Sequence, residues 1–247
     1  MVSAKEHYDR HLAPLYSWMS GGGAPARERF REWLRSLDLH APGPDRTALD
    51  LGAGSGFQSI PLAEAGYDVT AVDTSETLLA ELLRDAGERK IRTIAGDLRD
   101  LRRHCPRPAP TVIVCMGDTL AHLSSAAEAA QVLHDAAAAL ASGGYLLLSF
   151  RDYTVARTGA DRFISVRADA DRIFTCFLEY EAAHLAVHDI VHTRAGDGWN
   201  TAVSAYRKIR LAPDWVRAQL VAAGLVIVRN TVQNGLVTLA AQRPVHA

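Results

Sequence analysis

Asp50-Leu51-Gly52-Ala53-Gly54-Ser55-Gly56 joins a short apolar run, Thr47 to Leu51, to a helical pattern near Gln58 to Ala65. A strand, a glycine turn and a helix in that order start a βα unit. Glycines there bend the chain sharply and let a ligand approach the backbone. A pyrophosphate site favours G-x-G-x-x-G, with the phosphates on the helix N-terminus. Here the third glycine comes one residue early, and Asp50 precedes the first. A carboxylate repels a pyrophosphate. It attracts an ammonium group, by ~4 kcal/mol at close range in a partly dry site. The turn therefore predicts a ligand with a cationic amino acid end, held by Asp50, Gly52, Gly54 and Gly56.

Outward from this turn the βα alternation continues. Tyr67 to Asp73 reads as a second strand, followed by a helix capped by Ser75 and running to about Ala86. Ile91 to Ala95, Thr111 to Met116 and Tyr145 to Phe150 complete five strands, with an alanine-rich helix from Ser124 or Ser125 to about Ala141 before the last. After Arg151 the rhythm changes. Arg162 to Ala168, Arg172 to Glu181, Leu185 to Arg194 and Thr201 to Leu211 read as an antiparallel meander separated by short turns. A helix from Pro213 and two strands, Leu225 to Arg229 and Leu236 to Gln242, close the chain. Before the first strand, the aromatic stretch to Gly23 lacks periodicity. A helix follows, with Phe30, Trp33, Leu34 and Leu37 on one face, stopped by Pro42-Gly43-Pro44. The expected fold is α/β: a doubly wound, mostly parallel seven-stranded sheet with an antiparallel β insertion after the fifth strand. The expected units are an N-terminal lid and helix (1–44), a cofactor-binding core (45–151), the insertion covering the acceptor (152–211) and a C-terminal helix and strand pair completing the core (212–247).

Composition narrows the function. The 247 residues are 48% hydrophobic and carry 27 basic against 28 acidic side chains, so no basic excess exists to neutralise nucleic-acid phosphates. No apolar run has membrane-spanning length. The polar start from Met1 to His7 lacks a signal-peptide core. Three cysteines, Cys105, Cys115 and Cys176, are too far apart for metal-ligand spacing, and a reducing cytoplasm is expected.

Two further acids shape the ligand. Asp73 ends the second strand about twenty residues beyond the glycine turn, where an acid accepts ribose hydroxyls. Asp97, in Gly96-Asp97-Leu98, can accept from an adenine amino group. With Asp50 these acids describe an adenosine bearing a positively charged amino acid tail. The ordered set Leu49 to Gly56, Ala71-Val72-Asp73 and Gly96-Asp97-Leu98 resembles the class I S-adenosylmethionine-dependent methyltransferases. The resemblance implies S-adenosylmethionine as cofactor, S-adenosylhomocysteine as product, and a cradle that adds Ala53, Thr74, Leu98, Met116 and Tyr16.

The acceptor belongs at the carboxyl ends of the fourth and fifth strands. The segments Gly117-Asp118-Thr119-Leu120-Ala121-His122-Leu123 and Arg151-Asp152-Tyr153 are similar to the G-N-S-x-x-H-L and R-N-Y segments of glycine N-methyltransferases. That resemblance implies a carboxylate-binding role for Arg151 and a lid built from Tyr8, Tyr16, Trp18 and Met19. Asp118 stands where that family has Asn, which weighs against glycine as acceptor. Plainer readings exist for each: an ion pair of Arg151 with Asp152, a packing role for His122, a turn bond for Asp118, and core packing for the aromatic residues.

The resulting expectation is methyl transfer to a small amine or amino-acid-like acceptor by in-line displacement, with alignment worth about 7–11 kcal/mol. Asp118 or His122 would remove a proton, and Tyr153 and Tyr206 would orient the acceptor, with Tyr8 and Arg151 binding it. O-methylation, intramolecular displacement on the same cofactor, and a non-catalytic cofactor-binding regulator are the alternatives. No nucleic acid or membrane partner is expected, and a homo-oligomer stays open. His184, His188 and His192 share one face whether helix or strand. Alternation with Leu185, Val187 and Val191 favours a strand, and no metal is expected.

Overall fold

A computed structural model describes residues 4–37, 39 and 46–245. Its centre is a seven-stranded sheet in the order β10-β11-β5-β4-β1-β2-β3. β1 (Thr47–Leu51), β2 (Asp68–Asp73), β3 (Ile91–Ala95), β4 (Val112–Cys115) and β5 (Tyr145–Arg151) run parallel. β11 (Leu236–Gln242) is antiparallel to β5, and β10 (Val226–Gln233) is antiparallel to β11. The strand order reverses between β1 and β4. In such sheets the crevice for a ligand opens there, beyond the carboxyl ends.

Both faces of the sheet are covered, and β1 and β4 are accordingly buried throughout. Leu49, Leu51, Ile113, Leu146 and Leu148 pack on one side against α7 (Ala126–Ala139) and α8 (Pro213–Ala222). Ala48, Val112, Val114 and Leu147 pack on the other against Phe30 of α3 (Gly23–Ser36) and Leu62 of α4 (Ser59–Glu64). α5 (Glu76–Ala86) adds Leu79 and Leu82 beside Ile60 and Ala71. Ser75 caps α5 through Leu78 N–H, and Ser125 caps α7 through Glu128 N–H. α6 (Leu101–His104) is a single turn after β3.

The insertion is a four-stranded antiparallel sheet, β6 (Phe163–Ala168), β7 (Arg172–Tyr180), β8 (His184–Ala195) and β9 (Gly198–Ile209). β8 and β9 meet at a two-residue turn, Gly196-Asp197, so both strands run closer to the turn than the sequence pattern indicates. One face of this sheet carries Phe174, Leu178, Val187 and Tyr206. These pack on Leu12, Trp18 and Met19 of the N-terminal segment.

That segment departs from the sequence expectation. It is helical from Ala4, in four short pieces: α1 (Ala4–His7), a π turn (Tyr8–Leu12), a 3-10 turn (Ala13–Leu15) and α2 (Tyr16–Met19). Switching between helix types destroys the 3.6-residue period that signals a helix in sequence. Packing on the insertion sheet, rather than intrinsic propensity, holds it. Pro42-Gly43-Pro44, the expected stop of α3, lies outside the described residues. No described helix is long and apolar enough to cross a membrane.

Candidate active site

A cavity of about 530 Å³ opens at the carboxyl ends of β1 to β4, a size suited to a small-molecule ligand. Gly52, at the end of β1, lies at its base. Its φ of +73° and the 2.3 Å that would separate an added Cβ from Thr119 Cγ2 leave room for glycine alone. Asp73 ends β2 at the cavity wall. Its carboxylate accepts Gly54 N–H (2.8 Å) and Ser75 N–H (2.8 Å). Those two bonds fix its direction at the cavity wall. Thr74, Leu78 and Leu98 extend the wall, and Tyr16 covers it. The Tyr16 ring stacks on Phe57 (centroids 5.4 Å apart, 14° between planes). Burial first, then Asp73 and Asp50, push its phenol up to about 12.

Asp97 also lines the cavity, but it is already engaged. Arg99 grips it through Nη2 (2.7 Å) and Nε (3.0 Å), and Arg99 N–H bonds Oδ1. The Arg99 hydrogen bonds hold its carboxyl below the usual range despite partial burial. Arg99 reaches on to Glu128 at the start of α7, so the two acids and the arginine form one rim.

Several expected cofactor contacts stand elsewhere. Asp50 does not reach the cavity. It is 1% exposed and accepts Ser59 Oγ–H at 2.5 Å, tying β1 to α4. Burial pushes its carboxyl up to about 7, so it is no fixed anion facing a ligand's ammonium group. Ala53, Gly54, Gly56 and Met116 lie behind the wall. Gly54 makes room for Tyr16, and a Cβ on Gly56 would sit 2.7 Å from Leu82 Cγ. Gly117, next to Met116, lines the cavity instead.

The ends of β4 and β5, where the sequence reading expects the acceptor, are organised by a contact that the sequence did not announce. Asp118, in the left-handed conformation (φ 73°), accepts Lys208 Nζ at 2.6 Å, Tyr153 Oη–H at 2.9 Å and Arg151 N–H at 2.9 Å. Asp118 and Lys208 are only 4% and 8% exposed. Burial alone would raise the Asp118 carboxyl, but the Lys208 ammonium and the Arg151 N–H bond together outweigh it and hold the group below its usual range. Asp118 is therefore a tie between β4, β5 and β9 and not a free base. Tyr153 serves the same tie, and its phenol, pushed to about 12 by burial, is no proton acceptor. Lys208 follows Tyr206 at strand spacing on the inward face of β9. That period-two placement is the signal that marks it.

His122 lines the cavity between two tyrosines. Its Nε2 lies 3.3 Å from Tyr8 Oη, its ring stacks on Tyr206 at 5.4 Å, and its buried Nδ1 has no partner. Burial, reinforced by Lys208, pulls the imidazole down to about 3, so it is neutral at physiological pH and a weak base. Tyr8 lines the cavity; Tyr206 supports it from behind. Arg151 is exposed at the end of β5, outside the cavity wall, and no carboxylate among the described residues pairs with it. Asp152 instead accepts from Thr154.

The three histidines of β8 are each occupied: His184 with Ser124 O, His188 with Glu179 and His192 with Thr201. His184 reaches the cavity mouth, as does Arg207, which the sequence reading did not single out. No cluster of metal-ligating side chains occurs among the described residues.

This glycine turn, with an acid ending the next strand, matches the family described as Methyltransferase domain over residues 48–144. Residues 48–144 are similar to that domain family. Around them the chain is similar to the glycine/sarcosine N-methyltransferase of Aphanothece halophytica, 34% identical over 123 residues, covering 49% of this chain and 45% of that protein. The chain thus spans about half the length of the curated relatives it matches. Solved structures extend the likeness beyond residues 48–144. The CcbJ methyltransferase of Streptomyces caelestis superposes with a TM-score of 0.74 at 20% identity, over 98% of this chain and 96% of that one. The sugar N-methyltransferase KedS8 from Streptoalloteichus gives 0.67 at 17% identity, over 90% and 88%. At these identities the likeness is one of fold, and with 98% of this chain covered it extends to the insertion.

Proposed function

We propose that the chain transfers a methyl group from S-adenosylmethionine to the nitrogen of a small amine. The observation that carries this reading is Asp73, aimed into the cavity by Gly54 N–H and Ser75 N–H at the strand end where a ribose is held. The cavity volume, the apolar Leu78 and Leu98 for a flat base, and Tyr16 as cover fit the same cofactor. When bound, that cofactor supplies an electrophilic methyl group on a positively charged sulfur.

The chain's own work is alignment and exclusion of water. Tyr16 and Tyr8 close the cavity from the N-terminal segment, and Tyr206 backs it from the insertion. The choice of nitrogen over oxygen follows from the bases present. Asp118 is spent on Lys208, and His122 sits near 3, so neither deprotonates a hydroxyl near neutral pH. An amine that arrives uncharged needs no such base. Arg151, exposed and unpaired among the described residues, is the candidate for an acceptor carboxylate, which a guanidinium fork matches in two bonds. The amine class is consistent with relatives named for glycine, sarcosine and sugar nitrogen. Three free cysteines suit a reducing compartment.

The test is incubation of the pure protein with methyl-labelled cofactor and a metabolite extract. A labelled small amine with stoichiometric S-adenosylhomocysteine supports the reading. Label only in an ether or ester overturns nitrogen as the acceptor atom, and methylthioadenosine in place of S-adenosylhomocysteine overturns transfer itself.

A further inference from the structure

His7 and Asp189 form a polar pair inside an otherwise apolar contact. His7 is 0% exposed and Asp189 1%. His7 Nε2 lies 2.8 Å from Asp189 Oδ2, and Cys176 Sγ–H reaches Oδ1 at 3.0 Å. A carboxylate only accepts, so the shared proton belongs to His7 Nε2, and His7 Nδ1 has no partner. Burying such a pair is no better for stability than packing two apolar side chains of similar size, and its best-attested use is to fix a unique register. Here it fixes the register of the N-terminal segment on β8.

What that register controls is the acceptor end of the cavity. The His7 ring packs on Tyr206 at 4.2 Å, and the Tyr206 ring in turn stacks on His122. The next residue, Tyr8, opens the π turn and swings its hydroxyl to His122 Nε2. One residue therefore anchors to the insertion sheet while its neighbour reaches into the cavity. The aromatic seams alone, Leu12, Trp18 and Met19 against Phe174 and Leu178, would tolerate sliding.

The geometry points to His7 and Asp189 as positioning residues. By latching the N-terminal segment to β8, they assemble the Tyr8–His122–Tyr206 wall against which the acceptor is held and from which water is excluded. This rests on the methyl-transfer reading only in naming that wall the acceptor side. The latch itself is independent of the cofactor end, because Tyr16 has its own anchor on Phe57, and Ser17 hydrogen-bonds Glu81.

The test compares Asp189→Leu and His7→Phe with the conservative Asp189→Asn in the full chain. Backbone hydrogen exchange over residues 5–12 reads the latch. Imidazole NMR of His122 reads whether the wall stays dry; the groups that face this ring are Tyr8, Tyr206, His7, Asp118 and Lys208. Calorimetric titration with S-adenosylhomocysteine reads the cofactor end. In Asp189→Leu and His7→Phe, exchange over residues 5–12 rises about tenfold or more. The His122 resonance then titrates near the ordinary imidazole range, and S-adenosylhomocysteine affinity is unchanged. Asp189→Asn, which still accepts from His7, behaves as the parent. If both apolar variants keep slow exchange and an unprotonated His122 at pH 5, the latch is overturned. If the parent fails to bind S-adenosylhomocysteine, the methyl-transfer reading falls, while exchange and titration still decide the latch.

Discussion

Lys208 Nζ lies 2.6 Å from Asp118 Oδ2, an ion pair that joins the insertion to the β4 turn across ninety residues of sequence. Both charges are nearly out of water, so each is tolerable only while the other is present.

Lys208→Met should therefore destabilise the protein by about 3–5 kcal/mol, because it strands a buried carboxylate. Adding Asp118→Asn should recover a large part of the loss, since both charges are then gone. Urea unfolding of the two single variants and the double variant gives the coupling. The pH dependence has a definite sign. Asp118 is depressed in the fold, so its contribution is present above the unfolded value and disappears as pH falls through the folded one. Lys208 is raised by Asp118 and neighbouring phenols against the pull of burial, so its contribution is lost only when pH climbs beyond the unfolded lysine range.

His122 adds an acid-side dependence. Its folded value of about 3 lies below the ordinary imidazole 6.5, so the unfolded chain takes up a proton first as pH falls. Stability supported by the neutral ring is full above 6.5 and erodes between 6.5 and 3, by at most about 1.4 kcal/mol per pH unit. His122→Phe should unfold in urea with a shallower loss between pH 7 and pH 5 than the parent. Equal slopes would show that the ring is not held neutral by its surroundings.

The sheet was legible because local patterns specify it. Thr47–Leu51 and Ile91–Ala95 have the bounds that their apolar runs indicate, and Ser75 caps the helix its position announces. Asp73 was legible too, since strand end and glycine turn fix its place together. Asp50 was misread because its carboxylate turns inward to Ser59, a rotation that sequence spacing does not encode. Asp118 was misread as a base because its partner comes from β9, and a pairing at that separation leaves no local trace. The N-terminal segment hid its helices by changing helix type every few residues.

Asp73→Ala should weaken S-adenosylmethionine and S-adenosylhomocysteine binding by about 10- to 100-fold, the loss expected for hydrogen bonds to a charged group. Some destabilisation accompanies it, as Gly54 N–H and Ser75 N–H lose their acceptor. Asp73→Asn separates the two effects: its side-chain oxygen can still serve one N–H while the charge is gone. Calorimetry on all three proteins, with thermal unfolding alongside, checks this. Unchanged affinity in a folded Asp73→Ala protein contradicts the ribose role.

Gly52→Ala tests the base of the cavity. The added Cβ meets Thr119 Cγ2 at 2.3 Å and Oγ1 at 2.7 Å, at a φ of +73°. Left-handed backbone at a non-glycine residue costs roughly 1–2 kcal/mol, and overpacking adds about 1–3 kcal/mol. The unfolding midpoint should drop accordingly. Thr119→Ala introduced with it should relieve the packing part and leave the backbone part, so a full recovery would show that strain at residue 52 is absent.

Arg151→Ala distinguishes a binding arginine from a structural one. The side chain is exposed and makes no ion pair among the described residues, so its removal should change stability by no more than about 0.5 kcal/mol. The Arg151 N–H bond to Asp118 is a backbone contact and survives the substitution. Cofactor affinity should also hold, because Arg151 is not part of the cavity wall that contains Asp73 and Tyr16. What should change is the acceptor KM, raised strongly for an acceptor that bears a carboxylate and little for its decarboxylated counterpart. Paired kinetics with a carboxylate-bearing amine and the matching plain amine read that difference directly. Equal effects on both would remove Arg151 from acceptor binding and leave the carboxylate, if the natural acceptor has one, to the basic mouth formed by His184 and Arg207.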